Sequence, residues 1–224
     1  HTLGLPGAGL TLGEAASSKL GLRKVAAALG IDVIPTVEIE MSPQYHTSMF
    51  FPIVVKPNVG LVGKKSVTIV RDNQSLRHGI KRALTESWDQ KAVAQPFIDG
   101  RDFNIVLLAE DGHVVWRTVL EERNQFSVSG EVVEARQFLL GDAESKRVWE
   151  ICADAVTRFI GQSRTTGHAV FSFRGDLDGD KLSAYETNIG PPADGVSEDL
   201  LPLIGHDAFQ EEVSALTQAA SSEV

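Results

Sequence analysis

The chain has 224 residues, 42% hydrophobic and 23% charged, enough to bury a substantial core as one large domain or two small lobes. Its net charge of −9 and acidic pI near 5.1 exclude a nucleic-acid binder, which needs a basic surface, yet leave room for a nucleotide in a locally basic pocket. A single cysteine, Cys152, excludes an internal disulfide framework and a cysteine-based zinc site. No apolar run reaches the ~18 residues of a membrane span and no signal peptide is recognised, so no membrane partner is expected and the cytoplasm is the default.

In chain order, Ser17 and Ser18 precede a helix in which Leu22, Val25, Ala26 and Leu29 recur at helical spacing until Gly30. Val33 to Ile39 is β-rich, with Pro35 marking an edge strand or connector. Met41 to Phe51 reads as a loop. Ile53 to Val55 and Val67 to Val70 read as short strands around a glycine-bearing loop, Asn58 to Ser66. A helix is expected from about Gln74 to Thr85, then a strand from Val93 to Phe97. Asp111-Gly112 between two apolar runs signals a hairpin. Glu121 to Gln137 is polar and reads as a long hairpin or a loop. Ser145 to Ile160 is the clearest helix, with Cys152 on its apolar stripe as a buried, inert thiol. A last hairpin pairs Ala169–Phe173 with Leu182–Tyr185, and a terminal helix is expected from about Asp207 to Ala219. The order predicts an α+β protein built on antiparallel sheets.

Four segments carry candidate chemistry. Lys56 ends a buried strand and precedes the glycine loop, whose N–H groups suit phosphate oxygens. Gln95-Pro96-Phe97-Ile98 leads through Asp99-Gly100 to Asp102. Glu186 and Asn188, two apart on a strand, turn hard oxygen ligands suited to Mg²⁺ to one face. Lys19 and Lys24 sit on the capped first helix. Taken singly, each has an ordinary reading: a solvated lysine, a turn, an exposed strand end.

Taken together and in order, the four segments resemble the ATP-grasp superfamily, and within it the D-alanine–D-alanine ligase group. Lys19 after Ala-Ser-Ser, Gly30-Ile31 before Pro35, and the run from Asn188 to Pro202 add to the likeness, which covers essentially the whole chain. The resemblance implies an ATP-grasp fold, two α+β lobes with antiparallel sheets gripping a nucleotide. It divides the chain into a linker helix from the central lobe (1–37), a lid subdomain (38–100) and a C-terminal subdomain with the metal site (101–224). It implies that Lys19 and Lys56 contact ATP phosphates, Lys56 also acting in catalysis. Gly60, Gly63 and Ser66 would belong to a lid over the triphosphate. Gln95, Pro96, Phe97 and Ile98 would receive adenine, and Asp102 the ribose hydroxyls. Glu186 and Asn188 would bind Mg²⁺. The implied reaction is ADP-forming: a carboxylate attacks the γ-phosphate, and an amine then displaces phosphate to leave an amide. The partners would be small-molecule amino acids or peptides, with a homodimer as a further expectation.

Three departures bear on this reading. The family's Arg-x-Asp pattern, which supplies a metal ligand and a carboxylate-binding arginine, is Val170-Phe171-Ser172 here. Asp176 is the candidate substitute for the metal ligand, with turn chemistry as the alternative. Arg123 and Arg136, with Arg117, are candidates for the missing arginine, with a surface role as the alternative. Gln95 stands where the family usually has glutamate, and its carbonyl still accepts from the adenine amino group. Third, the chain opens at His1, about where the family's N-terminal lobe ends, so that lobe is expected to be absent or to lie outside this sequence. Two functions remain: an amide-forming ligase, or a degenerate ATP-grasp module that binds nucleotide without turnover.

Overall fold

The computed structural model describes residues 7–40, 49–60, 66–190, 200–205, 207, 210, 214–215 and 217–218. Two helices, α1 (Gly9–Ser17) and α2 (Lys19–Leu29), open it. Ser18 separates them and caps α2, its hydroxyl accepting from the Gly21 N–H at 2.9 Å. Gly30 ends α2 in the left-handed conformation, which glycine adopts without strain. The α1 helix has no cap or strong amphipathic stripe, which is why the sequence pattern did not reveal it.

A four-stranded antiparallel sheet follows, ordered β1-β4-β2-β3, from β1 (Val37–Ile39), β2 (Ile53–Pro57), β3 (Thr68–Val70) and β4 (Ala92–Pro96). The helix α3 (Asn73–Thr85) covers it. Asp72 and Ser75 form a reciprocal capping box at its start. Leu76, Ile80 and Ala83 pack on Ile53, Val55 and Val70 to make this lobe's core. Pro35 keeps the chain out of regular pairing until Val37, so β1 is shorter than the β-rich run predicts.

The second sheet has five antiparallel strands ordered β7-β6-β5-β8-β9: β5 (Arg101–Glu110), β6 (His113–Phe126), β7 (Val132–Leu139), β8 (Gly167–Asp176) and β9 (Lys181–Ile189). Asp111-Gly112 turns β5 into β6 as predicted, with Gly112 at φ +82°. Glu121 to Gln137 resolves as a long hairpin. Helix α4 (Asp142–Ser163) covers one face, and α1 and α2 join it in the main core around Phe103, Phe159, Phe171 and Phe173. Cys152 lies in that core, and burial pushes its thiol up to about 12, so it is no nucleophile. Most of the expected terminal helix lies outside the described residues.

Backbone hydrogen bonds among the described residues join the lobes on two sides. The β6–β7 hairpin reaches the small sheet, where the Ile69 N–H donates to Gly130 O at 2.7 Å and the Val132 N–H to Val67 O at 3.2 Å. On the other side, Asn58 after β2 holds the start of α2: its side-chain oxygen accepts from the Leu20 N–H at 3.0 Å and its carbonyl from the Lys19 N–H at 3.2 Å. Asn58 is held in turn by Asp89, which accepts from its amide at 2.5 Å. Burial tends to raise the Asp89 carboxyl, but hydrogen bonds from Ser87, Asn58 and the backbone outweigh it and hold the group below its ordinary value.

Candidate active site

Between the sheets lies an open cleft. Its apolar walls come from Val54, Ile69 and Val132, which strand alternation turns inward, and from Ile34 and Phe97 beside the strands. Lys56 enters from β2 and is 5% exposed, its ammonium 4.8 Å from the centre of the Tyr185 ring. Lys19 enters from the first turn of α2 and lies 2.9 Å from Glu186 Oε1 on β9. Two lysines and the edge of β4 thus converge on one slot.

Gln95, Pro96, Phe97, Ile98 and Asp102 all line this cleft. Gln95 is buried at 3% exposure and donates its amide to Thr36 Oγ1 at 2.7 Å. Asp102 is 6% exposed and ion-paired with Arg174 at 2.5 Å. Arg174 also donates to Ile98 O at 2.6 Å and stacks 5.1 Å from the Phe97 ring centre. It therefore fixes three of the expected nucleotide contacts at once. The sequence reading did not single it out.

Arg174 ends a hydrogen-bonded row across three strands. Asn124 donates to Asp102 Oδ2 at 3.0 Å and to Glu122 Oε1 at 2.9 Å; Asn104 donates to Glu122 Oε2 at 3.2 Å; Ser172 donates to Asn104 Oδ1 at 2.7 Å. Each strand contributes two of these residues at i and i+2, so all six share the face that looks into the clefts. That polar period of two, alternating with apolar Phe103 in β5 and with Phe171 and Phe173 in β8, was the signal available in the sequence.

A second, more polar cleft shares Lys19, Gly60 and Glu186 with the first. Asn188, Ser172, Asn104, Glu122 and Gln137 also line it. Glu186 thus sits at the junction, with Asn188 exposed two residues on along the same strand face.

Not every expected residue comes to the site. Asp176 lines neither cleft: it stands exposed at the β8–β9 turn, where its Oδ1 accepts from the Asp178 N–H at 3.0 Å. Turn chemistry accounts for it. Arg123 and Arg136 line neither cleft either. As cross-strand neighbours one residue out of phase with Glu122 and Asn124, they face away from the polar row. Arg123 pairs with Glu121 at 2.8 Å and Arg136 with Glu134 at 2.7 Å. Arg117 stacks on Trp149, 4.2 Å from its ring centre, and is likewise absent from both walls. Ser66 is buried without lining either cleft. Gly63 lies outside the described residues.

No protein-family model and no curated protein sequence matches the chain. Solved structures do. An L-amino acid ligase from Bacillus licheniformis matches with a TM-score of 0.67 and 21% identity, over 92% of this chain and 48% of its own. A D-alanine–D-alanine ligase from Bacillus anthracis, complexed with ATP, matches with a TM-score of 0.67 and 19% identity, over 100% of this chain and 74% of its own. A D-Ala:D-Ser ligase from Enterococcus faecalis reaches 0.68 at 15% identity, over 94% and 63%. This is the ATP-grasp fold. The chain spans about half the length of the first of these enzymes and less than two thirds of the third. The two sheets form two lobes of that fold, with the first cleft between them.

Proposed function

We infer that the protein is an ATP-dependent carboxylate–amine ligase, ADP-forming, with an amino acid or peptide among its substrates. The observation that carries this is the meeting of two clefts at Lys19, Gly60 and Glu186. A slot that holds Lys56 opens onto a second, polar chamber at Lys19, the lysine that both share.

ATP occupies the first cleft. Its adenine fits the apolar wall beside β4, where Gln95 presents its carbonyl, and Asp102 faces the ribose, held by Arg174 and Asn124. Lys56 and Lys19 meet the phosphate charge. The substrate carboxylate, in the second cleft, attacks the γ-phosphorus; the bond to ADP breaks and an acyl phosphate forms. The amine nitrogen then bonds to the carbonyl carbon, phosphate leaves, and the nitrogen loses a proton. Catalysis rests on positioning and charge neutralisation.

Mg²⁺ suits Glu186 and Asn188. Both offer hard oxygens, and this ion takes few protein carboxylates because phosphates and water complete its shell. When bound, the ion supplies neutralisation of the phosphate oxygens.

A second reading, a degenerate module that binds nucleotide without turnover, draws on Ser172. This neutral residue spends its hydroxyl proton on Asn104 rather than adding charge beside Glu186. ATP-dependent phosphate release, measured with Mg²⁺ against a panel of amino acids and amines, tests both. Release that depends on both a carboxylate and an amine, and is lost in Glu186→Gln, supports the ligase. Tight Mg-ATP binding with no release under any combination supports the module.

A further inference from the structure

Leu22 is the first residue of α2 to enter the main core. The turn ahead of it, Lys19 to Gly21, depends on what satisfies its N–H groups, because the first N–H groups of a helix have no partner within it. Ser18 takes that of Gly21. Asn58, a residue of the small sheet's lobe, takes the two before it: its carbonyl accepts from Lys19 at 3.2 Å and its Oδ1 from Leu20 at 3.0 Å.

Asn58 is itself clamped. It is 4% exposed, and its N–H donates to Lys91 O at 2.9 Å. Its Nδ2 donates to Asp89 Oδ2 at 2.5 Å, and since a carboxylate only accepts, this contact turns the amide oxygen towards α2. Asp89 is fixed in turn by the Ser87 hydroxyl at 2.7 Å and the Lys91 N–H at 3.3 Å. Only Pro57, with its locked φ, separates Asn58 from Lys56. A short, stiff connection therefore runs from Lys56 on β2, through Asn58, to the backbone of Lys19.

We propose that Asn58 is a positioning residue for phosphate binding: clamped by Asp89, it holds the first turn of α2 beside the end of β2 and so sets the spacing between the Lys19 and Lys56 ammonium groups. This rests on the reading of the first cleft as a nucleotide site and deepens it. Without the clamp the first turn frays, and the Lys19 side chain must be ordered by the ligand itself. The loss falls on the phosphates and spares the base, whose wall beside β4 Asn58 does not touch.

The test is calorimetric titration of the chain with Mg-ATP and, separately, with adenosine, which lacks phosphate. Asn58→Ala is expected to weaken Mg-ATP roughly three- to tenfold, the cost of ordering a loosened lysine on binding, and to leave adenosine unchanged. Lys19→Ala is expected to weaken Mg-ATP as well, and Asn58→Ala to add nothing in that background. If circular dichroism shows Asn58→Ala unfolded, Asp89→Ala takes its place in both comparisons, with a smaller loss of the same pattern expected. An equal fall in Mg-ATP and adenosine affinity gives Asn58 a merely structural role and overturns the proposal. So does unchanged Mg-ATP affinity in the folded variant, or a full, additive loss in the double variant. Lys19→Ala without effect on Mg-ATP overturns it too, since Asn58 then has no lysine to act through. An unaltered chain that binds neither probe is a different result: it removes the nucleotide reading, and the positioning role with it.

Discussion

Thr36 decides which end of the Gln95 amide faces the first cleft. The Thr36 hydroxyl donates to Ile34 O, an obligate acceptor, at 2.9 Å, so its oxygen must accept from Gln95 Nε2 at 2.7 Å. The Gln95 carbonyl is thereby left to the cleft, where the proposed nucleotide would place its base. A carbonyl there welcomes the amino group of adenine and repels the carbonyl of guanine. Thr36→Val removes the hydroxyl and frees the amide to rotate. The ratio of ATP to GTP affinity is expected to fall by roughly tenfold, about one charge-free hydrogen bond with its orientation lost. Competitive binding of the two nucleotides measures it, and an unchanged ratio would remove Thr36 from base selection.

Lys56→Ala is expected to weaken ATP by tenfold or more, since an ammonium against phosphate is worth roughly 1.5–3 kcal/mol. Its stem packs in a buried strand beside Tyr185, so circular dichroism must show that the variant is folded. Equal ATP affinity in a folded Lys56→Ala protein would mean the phosphates lie elsewhere.

The Asp102–Arg174 pair is largely shielded, with side chains 8% and 17% exposed. Arg174→Leu leaves the carboxylate without its counter-ion and is expected to cost about 3 kcal/mol in a urea melt. Adding Asp102→Asn to it should recover part of that stability, because the uncompensated charge is gone. ATP affinity should stay low in both variants, as Ile98 has lost its Arg174 contact. Independent, additive effects would show that the two residues are not coupled.

Gly130 sits at φ +85° with Ile69 O only 2.2 Å from where a Cβ would lie. Gly130→Ala must therefore push the β6–β7 hairpin away from the small sheet. Hydrogen exchange at the Ile69 and Val132 amides is expected to accelerate, while the α4 core exchanges as before. Unchanged protection of both amides would show that the hairpin contact does not depend on this glycine.

Glu121 is pushed up by burial but held below its ordinary 4.5 by hydrogen bonds and charge from Arg101 and Arg123. A depressed carboxyl contributes stability that is present above 4.5 and lost as pH falls through its lower folded value. Glu121→Gln is therefore expected to lower the melting temperature at neutral pH and to flatten its decline on the acid side. Parallel acid-side declines in the two proteins would place the sensitivity at another carboxylate.

The sequence by itself determined the local elements and the order of the binding segments. A capped α2, the Asp111-Gly112 turn and the α4 stripe are written in near-neighbour chemistry that needs no tertiary partner. Lys56, Gln95 and Asp102 reached one cleft because strand ends and a fixed order carry them there. What only the tertiary structure decided is which face each strand residue shows and what lies opposite. Arg123 and Asn124 are adjacent in sequence, yet pleating sends them to opposite sides of the sheet, so the arginine was overvalued and the asparagine overlooked. Arg174 joins Asp102 in the first cleft's wall because β8 lies beside β5, a pairing across 72 residues that no local pattern encodes. Ser172 reads alone as a lost carboxylate; registered beside Asn104 and in the same row as Glu122, it is one link in a polar chain.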